Sequence, residues 1–313
     1  MKLAQPTVAA IDIGSNTIKA LVATRNEHGM LESLEQRTLD SRISEGISGS
    51  SLRLTDDAMA AGIEAVAELM AMITPHEPQK IGIVATSAVR EASNGKLFAQ
   101  RVEDVAGTPL QVLSGEEEAR LIGRGLLCDP AMAKWSDFHV FDLGGGSLEV
   151  LTFRNRELKR AVSLPLGCVR LTEKFVTDRE APFSARDAEA IRSHVRRALI
   201  DAEIEFLDNE PVAAFTGGTI TTSRAILAAA KDMGFSQTSP RVTVELLGAI
   251  LKKLGRLPLS ERREIPGLPA RRADVMPTAL ATVLTLAEQA ILTEFQHSLF
   301  NLRWGLADSL LSE

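Results

Sequence analysis

One stretch of the sequence, residues 138–150 (FHVFDLGGGSLEV), places acids, glycines and a hydroxyl in an order that suits phosphate chemistry. Its apolar residues predict a buried strand that ends at Asp142, followed by a second strand that contains Glu149. The turn between them removes side chains from the backbone, so its N–H groups can converge on an anion. A divalent metal could then join both carboxylates to bound phosphate. An ordinary hairpin turn is the alternative interpretation. The predicted phosphate loop consists of Gly144, Gly145, Gly146 and Ser147.

The same order of residues occurs near the N-terminus, in residues 8–23 (VAAIDIGSNTIKALVA). This segment aligns on the first one without a gap, so that Asp12 matches Asp142 and Thr17 matches Ser147. The repeat predicts two related lobes that face one another, each with its own phosphate loop. Asp12 then joins the other two acids as a candidate metal ligand. The predicted phosphate loop of this N-terminal copy consists of Gly14, Ser15, Asn16 and Thr17.

Hydroxyl and basic residues follow the predicted strand over residues 80–85. Thr86, Ser87 and Arg90 come just after its C-terminal end, where α/β folds bind ligands. The guanidinium of Arg90 could hold two phosphate oxygens in a fork, which a lysine cannot do. An ion pair between Arg90 and Glu91 is the alternative.

Three adjacent glutamates begin the helix that follows the next predicted strand. Ser114 and Glu117 predict a capping box, and Glu116 favours the positive end of the helix dipole. Glu118 lies one position further round the helix and is left to face elsewhere. It is therefore either a functional acid or an exposed residue of the first turn.

Two further glycine turns each precede a predicted helix. Gly167 could let the backbone approach a ligand that Arg170 also reaches, although a simple turn into the helix is equally consistent with the sequence. Gly217, Gly218 and Thr219 follow a predicted strand and open a helix N-terminus, which is a natural site for an anion or a nucleotide. A plain turn between strand and helix is the alternative there.

Taken together, these motifs resemble the actin/hexokinase class of folds and, more closely, the exopolyphosphatase/guanosine pentaphosphate phosphatase (Ppx/GppA) family. The resemblance extends in one consistent order across most of the chain. It implies an α/β, actin-like (ASKHA, RNase H-like) duplicated fold with two lobes and an interlobe cleft. The segments that carry it are AAIDIGSNTIKALVA, VATSAVREASNG, LSGEEEARLIGRGLL, VFDLGGGSLEV, LPLGCVRLTEKF and FTGGTITTSRAIL.

The resemblance also implies an activity, the hydrolysis of phosphoanhydrides with Mg²⁺ or Mn²⁺. The substrate would be the end of inorganic polyphosphate or the 5′ side of guanosine pentaphosphate (pppGpp). Glu118 matches the family position proposed to activate the attacking water, while Asp142 and Glu149 would hold the metal. The pair Glu45-Gly46 resembles a substrate-side pair of the family, and the segment 271–274 resembles its R-x-A-D motif.

Two other classes of function remain open at this point. An ATP-dependent kinase of the sugar or acetate type would share the fold, but it needs a pocket for a second substrate. A non-catalytic sensor would bind (p)ppGpp or polyphosphate between the lobes and signal by closure. The acids present in both loops favour the hydrolase over the sensor.

The amino-acid composition limits which binding partners and which cellular compartment are expected for this protein. The net charge of −6 argues against generic nucleic-acid binding, and 4% aromatic residues without a tyrosine argue against a base-stacking surface. The N-terminus has no long apolar core, and no uninterrupted apolar run reaches membrane-spanning length, which predicts a protein without a membrane partner. Two isolated cysteines predict a reducing, cytoplasmic setting. The sequence leaves the oligomeric state open, with a homodimer as one option.

The predicted first lobe comprises residues 1–128 together with about 303–313, and the second comprises residues 129–302. Each lobe is expected to begin with a three-stranded meander around its loop. A long amphipathic helix is predicted over residues 184–207, and a strand over residues 297–301.

Overall fold

The computed structural model describes residues 5–44, 52–206 and 212–313, so the expectation for Glu45 and Gly46 falls outside the described residues. The chain divides into two compact units. The first unit comprises Met1–Lys134 and Phe300–Glu313, and the second comprises Trp135–Leu299.

Both units contain strands and helices. The strands are β1 (Val8–Ile13), β2 (Thr17–Arg25), β3 (Leu31–Asp40), β4 (Lys80–Ala85), β5 (Leu110–Val112), β6 (Phe138–Leu143), β7 (Leu148–Arg154), β8 (Glu157–Leu164), β9 (Ala213–Thr216), β10 (Arg241–Thr243) and β11 (Glu294–His297). The α-helices are α1 (Asp56–Ile73), α2 (Ser87–Glu91), α3 (Gly95–Ala106), α4 (Gly115–Leu127), α5 (Cys168–Phe175), α6 (Ala185–Asp201), α7 (Gly218–Ala230), α8 (Val244–Gly255), α9 (Leu259–Arg262), α10 (Met276–Gln289) and α11 (Leu302–Ser312).

The sheet of the first unit has the strand order β3-β2-β1-β4-β5. Strands β1 to β3 form an antiparallel meander, whereas β4 and β5 add on in parallel to β1. Strand β1 is buried along its whole length because it is central in the sheet and covered on both faces. The C-terminal ends of the parallel strands therefore meet at one edge of this sheet, where Asp12 and Thr86 lie.

The sheet of the second unit repeats this arrangement and extends it. Its order is β8-β7-β6-β9-β11-β10, with an antiparallel meander over β6 to β8 and parallel pairing of β9 with β6 and β11. Strand β10 closes the far edge in antiparallel pairing with β11. Five phenylalanines with almost no exposed area lie on these strands, and Phe141, Phe215 and Phe295 contact one another at the centre of the core.

Helix α11 belongs to the first unit, where it packs on β1, β2, β4 and α4. A Cβ atom at Gly125 would overlap the carbonyl of Asn301, and one at Gly305 would overlap the carbonyl of Leu121. Helices α4 and α11 therefore cross at backbone contact. Asp308 strengthens this packing because its carboxylate lies 2.7 Å from Arg25 and 2.6 Å from Arg124.

Two predicted element boundaries are wrong. Helix α6 ends at Asp201 rather than near residue 207, because Glu203 takes the left-handed conformation (φ 50°) and the N–H of Ile204 bonds back to the carbonyl of Leu199. The guanidinium of Arg160 donates to the carbonyls of Ala202 and Glu203 at this end. The strand expected over residues 297–301 ends at His297. Asn301 instead caps α11, since its side chain accepts from the N–H of Arg303.

One described helical segment, Asp56–His76, is long and apolar enough to cross a membrane by length and composition alone. It is the α1 segment that Thr55 caps by accepting from the N–H of Ala58. Its apolar face, which includes Val66 and Leu69, is buried in the core of the first unit. Core helices of this kind pass the same test, so the segment is weak support for a membrane span.

Two buried histidines of the second unit should make its stability depend on pH. Loss of solvation lowers the pKa of His139 to about 4 and, with the charge of Arg224, that of His297 to about 3. In the unfolded chain both groups titrate near their ordinary value of about 6.5, so below that pH the unfolded state binds more protons than the native state. The free energy of unfolding should therefore fall by about 2 kcal/mol per histidine between pH 7 and pH 5.

Urea denaturation at pH 7 and pH 5 measures this effect. His139→Phe, which keeps a ring of similar size but does not titrate, should lose about half of the pH dependence. Replacement of the exposed His28 by glutamine should leave that dependence unchanged. A free energy of unfolding that is equal at the two pH values would contradict the assignment.

Candidate active site

Both predicted phosphate loops close β-hairpins at matching positions. The N–H of Gly144 donates to the carbonyl of Ser147 at 3.0 Å, and the N–H of Gly14 donates to the carbonyl of Thr17 at 3.1 Å. The strands that each loop joins pair in the same register. The duplication in the sequence is thus a duplication of local structure.

The start of α5 holds the loop of the second unit from one side. The carbonyl of Gly144 accepts from the N–H of Cys168 at 3.0 Å, and the carbonyl of Gly145 accepts from the N–H groups of Val169 and Arg170 at 2.9 and 3.2 Å. Nε of Arg170 donates to the carbonyl of Gly146 at 2.8 Å. Three successive loop carbonyls therefore point toward α5.

This arrangement fixes the direction of the N–H groups as well. In a trans peptide the N–H points away from the carbonyl of the same peptide plane. The N–H groups of Gly145, Gly146 and Ser147 must then point away from α5, and none of them donates to another backbone carbonyl of the described residues. Successive N–H groups on one side of a turn form an anion-binding nest. The loop can therefore bind a phosphate on the side opposite α5.

Gly167 is what lets α5 approach the loop so closely. A Cβ atom at this position would overlap the backbone carbons of Gly145 and Gly146. The sequence was consistent with two roles for Gly167, as a glycine that faces the ligand or as part of a simple turn into the helix. In the structure its missing side chain makes room for the loop, and direct contact with phosphate stays a prediction.

Two carboxylates lie side by side at the base of this loop. Asp142 on β6 and Glu149 on β7 are directly opposite each other in the antiparallel pair, so their side chains share one face of the sheet. Glu149 is only 2% exposed, and its Oε1 accepts from the hydroxyl of Ser163 at 2.7 Å. Because like charges at such positions repel, a cation between them would be stabilising.

The turn at residues 216–219 lies beside Asp142. Gly217 has a φ of 91°, and a Cβ atom on it would lie 2.5 Å from Oδ1 of Asp142. A Cβ atom on Gly218 would overlap the guanidinium of Arg272. Three groups therefore lie close together within the second unit. They are the carboxylate of Asp142, the guanidinium of Arg272 and the N-terminus of α7 with Gly218 and Thr219.

In the first unit, backbone groups after β3 hold the loop in a similar way. The N–H of Ser44 donates to the carbonyl of Ser15 at 3.1 Å, and the N–H groups of Ser41 and Arg42 donate to the carbonyl of Asn16. The N–H groups of Asn16 and Thr17 then point to the opposite side. Oδ1 of Asn16 is buried without a hydrogen-bond partner among the described residues, which a bound cation or water can satisfy.

The residues after β4 join this loop. The hydroxyl of Ser87 lies 3.0 Å from that of Ser15, and the N–H of Thr86 donates to the carbonyl of Ile13 at 3.2 Å. Two segments about seventy residues apart in the chain, each predicted to bind phosphate, therefore lie next to one another.

Asp12 has a different environment from Asp142. Its partner across the strand pair is Lys19, whereas the partner of Asp142 is Glu149. Burial raises the pKa of Asp12, and the charges of Lys19 and of Arg303 on α11 oppose that rise. The Asp12 carboxylate thus has two cations nearby in its own unit, and a role as metal ligand stays a prediction.

Arg90 and Glu118 form an ion pair. Nη1 of Arg90 lies 3.0 Å from Oε2 of Glu118 and donates to the carbonyl of Leu113 at 2.8 Å. Glu118 is 6% exposed, so it is not an exposed acid of the first turn. The predicted capping box is present, and the bond from the N–H of Ser114 lowers the pKa of Glu117.

The donor atoms suit Mg²⁺ or Mn²⁺. The predicted ligands offer only oxygen, which is what these hard cations prefer. Across the ranges that the structure describes, no group of three or more His, Cys, Asp or Glu residues could hold a metal by itself. A Mg²⁺ ion bound through one or two carboxylates usually completes its shell with water and substrate phosphates, which fits the pair Asp142 and Glu149.

Comparison with known protein families identifies the family of this chain. The sequence profile of the Ppx/GppA phosphatase family matches residues 21–313, which is nearly the whole chain. The chain belongs to the Ppx/GppA phosphatase family. Membership places it among the phosphatases, which are hydrolases.

Solved Ppx/GppA structures share its fold. The Ppx/GppA enzyme of Aquifex aeolicus is 24% identical and covers 98% of this chain and 99% of its own, with a TM-score of 0.79. An exopolyphosphatase-like protein is 24% identical, and an exopolyphosphatase from Cytophaga hutchinsonii is 21% identical. Each covers 98% of both chains with a TM-score of 0.86. The predicted α/β, actin-like, two-lobed fold is confirmed.

Three charged neighbours of the predicted Ppx/GppA site were missing from the predicted site residues. Arg272 at Gly218 was marked in the sequence only by its likeness to the family's R-x-A-D segment. Lys19 occupies the position that Glu149 has in the second copy, so the gapless repeat contained the signal for it. Arg303 near Asp12 had no local signal, since it comes from a helix at the other end of the chain.

Proposed function

We propose that this chain is an exopolyphosphatase that releases orthophosphate from the end of inorganic polyphosphate, with Mg²⁺ or Mn²⁺ as cofactor. The observation that carries the proposal is the row of N–H groups at Gly145, Gly146 and Ser147. These groups would bind the anionic oxygens that polyphosphate presents along its whole length. The exopolyphosphatase from Cytophaga hutchinsonii, which has the same fold, also supports it.

The loops and turns would bind successive phosphates through backbone and hydroxyl groups. No aromatic residue occurs in either phosphate loop or in the turn at residues 216–219, so these segments offer no ring on which a guanine could stack. That composition favours a substrate made only of phosphates over pppGpp. Arg272 would add a cationic donor at the turn, and Arg170 would hold the loop in place through the carbonyl of Gly146.

Water would attack the terminal phosphorus in line with the bond to the bridging oxygen. The new P–O bond forms as the bridging bond breaks, and the shortened polyphosphate leaves with the bridging oxygen. Glu118 would orient the water and take its proton. Arg90 would keep the Glu118 carboxylate in one position through the 3.0 Å contact.

Asp142 and Glu149 would hold the divalent cation, with Asp12 as a further predicted ligand. When bound, that cation neutralises charge on the phosphate oxygens. The chain's own contribution is to keep Asp142 and Glu149 on one face of the sheet, and Ser163 orients Glu149 through its hydroxyl.

A panel of phosphate-release assays with Mg²⁺ tests the proposal. The substrates are tripolyphosphate, long-chain polyphosphate, pppGpp and ATP, and we expect the highest kcat/KM on polyphosphate. A higher kcat/KM on pppGpp would make the chain a pppGpp phosphohydrolase instead. Phosphate transfer from ATP to an added sugar or to acetate would indicate a kinase. Tight binding of polyphosphate without any release would indicate a sensor.

A further inference from the structure

A chain of hydrogen bonds, one buried and two partly buried, runs through the second unit from Arg224 to the carbonyl of Gly217. Nη1 of Arg224 lies 2.8 Å from Nδ1 of His297, and Nε2 of His297 lies 3.1 Å from the hydroxyl of Thr221. That hydroxyl donates to the carbonyl of Gly217 at 2.9 Å. Arg224 is 6% exposed and His297 is 4% exposed, so the bond between them is shielded from water, whereas Thr221 is half-buried.

The direction of every bond in this chain is determined by chemistry. A guanidinium can only donate, so Nδ1 of His297 must accept and carries no proton. The neutral imidazole then bears its hydrogen on Nε2 and donates it to the hydroxyl of Thr221. The hydroxyl has one hydrogen, and this hydrogen goes to the carbonyl of Gly217. The four groups therefore form a one-way relay that ends at the turn.

Arg224 is itself held firmly at the start of the relay. Its Nε donates to the hydroxyl of Thr238 at 3.0 Å and its Nη2 donates to the carbonyl of Thr238 at 2.8 Å. The guanidinium also lies over the ring of Phe235, at 4.4 Å from the ring centre. The relay thus ties the turn to a segment beyond the end of α7.

Gly217 is a residue that needs such support. Its φ of 91° is available to glycine at little cost, but glycine also has the widest choice of other conformations. Two bonds to its carbonyl orient the peptide between Gly217 and Gly218, a short one from the hydroxyl of Thr221 at 2.9 Å and a long one from the N–H of Thr221 at 3.5 Å. Since the carbonyl points along α7 toward Thr221, the N–H of Gly218 points the opposite way, out of the helix N-terminus.

We propose that Arg224, His297 and Thr221 are positioning residues that aim the N–H of Gly218 at a substrate phosphate. The inference rests on the proposed function, because it assumes that the turn at residues 216–219 binds phosphate. None of the three residues need touch the substrate. Their effect would be transmitted through the carbonyl of Gly217, a residue whose Cα faces Oδ1 of Asp142.

Thr221→Val removes the hydroxyl and keeps the shape of the side chain. We expect kcat/KM on polyphosphate to fall about tenfold, mainly through a higher KM, because one oriented hydrogen bond is lost. Thr221→Ser restores the hydroxyl and should stay within about twofold of the wild type. Thr285→Val is the matched control, since Thr285 makes the same bond to the carbonyl four residues earlier, at 2.8 Å in α10.

Nuclear magnetic resonance tests the geometry without relying on activity. The only Gly-Gly pairs in the sequence are 144–145, 145–146 and 217–218. Labelling glycine with ¹³C at its carbonyl and ¹⁵N at its amide therefore leaves only the amides of Gly145, Gly146 and Gly218 in a carbonyl-edited spectrum. Thr221→Val should move the Gly218 signal and leave the other two in place. The ¹⁵N shifts of His297 should show the Nε2–H tautomer from pH 5 to pH 9.

The outcomes separate the two proposals. If Thr221→Val matches Thr285→Val in kcat/KM and leaves the Gly218 amide unmoved, the positioning role is wrong. A Gly218 signal that moves without a change in KM also overturns it, since the relay would then be structural only. If the wild type releases phosphate from no substrate, the proposed function fails. In that case two spectra test the positioning role by themselves. The Gly218 amide signal should move in Thr221→Val, and it should move in the wild type when tripolyphosphate is added.

Discussion

Replacement of Glu118 by glutamine is expected to reduce phosphate release from polyphosphate by about 10²–10⁴-fold, the usual contribution of a general base. Glutamine has the same shape, and its carbonyl oxygen can still accept from Nη1 of Arg90, as Oε2 does in the structure. What it cannot do is take a proton from water. Binding of tripolyphosphate, measured by calorimetry with Mg²⁺, should therefore change little while turnover is lost.

The two preceding glutamates provide controls on the same helix. Glu116 is exposed and pairs with Arg120 at 2.6 Å, so Glu116→Gln should have wild-type turnover. Glu117→Gln weakens the capping box and should lower the free energy of unfolding by about 0.5–1 kcal/mol without loss of turnover. If Glu118→Gln turned over polyphosphate at nearly the wild-type rate, Glu118 would not be the base.

Gly167→Ala should have the second large effect. Its new Cβ atom would overlap the backbone of Gly145 and Gly146, which cannot move aside as a flexible side chain can. Either α5 or the loop must then shift, and the bonds from α5 to the loop carbonyls would lengthen. We expect a loss of about 3 kcal/mol in the free energy of unfolding. Phosphate release should fall about 100-fold, because the row of N–H groups would be misplaced.

Gly248→Ala is the matched control for this substitution. Gly248 lies within α8, and a Cβ atom there would meet no other atom within 4 Å. Alanine should stabilise that helix by about 0.5–1 kcal/mol and leave turnover unchanged. Urea denaturation and phosphate release measured on both variants make the comparison. A Gly167→Ala protein as stable and as active as the wild type would show that the loop does not depend on this contact.

Much of the fold was accessible from local sequence patterns. Alternating and apolar runs located the strands around both loops, and the gapless repeat of residues 8–23 in the later copy predicted two hairpins of one design. The capping box at Ser114 and Glu117 was predicted and is present, as is the helix that begins at Gly218. These features succeed because each depends on residues only a few positions apart.

The sequence predicted less about the partners of each side chain. It offered Glu91 as a partner for Arg90, whereas the structure pairs Arg90 with Glu118, which lies 28 residues further on. It gave no indication that the imidazole of His297 accepts from Arg224, 73 residues away. Neither bond produces a pattern in the sequence from which it could be predicted.

The sequence by itself determined the two glycine loops, the acids beside them and the family to which the chain belongs. Hydrophobic periodicity and turn chemistry act over one or two turns of chain, and they set which face of an element is buried. Tertiary structure alone decided that α5 binds the carbonyls of the second loop, that Arg272 covers Gly218 and that Arg303 lies near Asp12. Such contacts join elements that are far apart in the chain, and they depend on which buried polar groups need a hydrogen-bond partner once the sheet has packed. No single segment of the sequence contains that information.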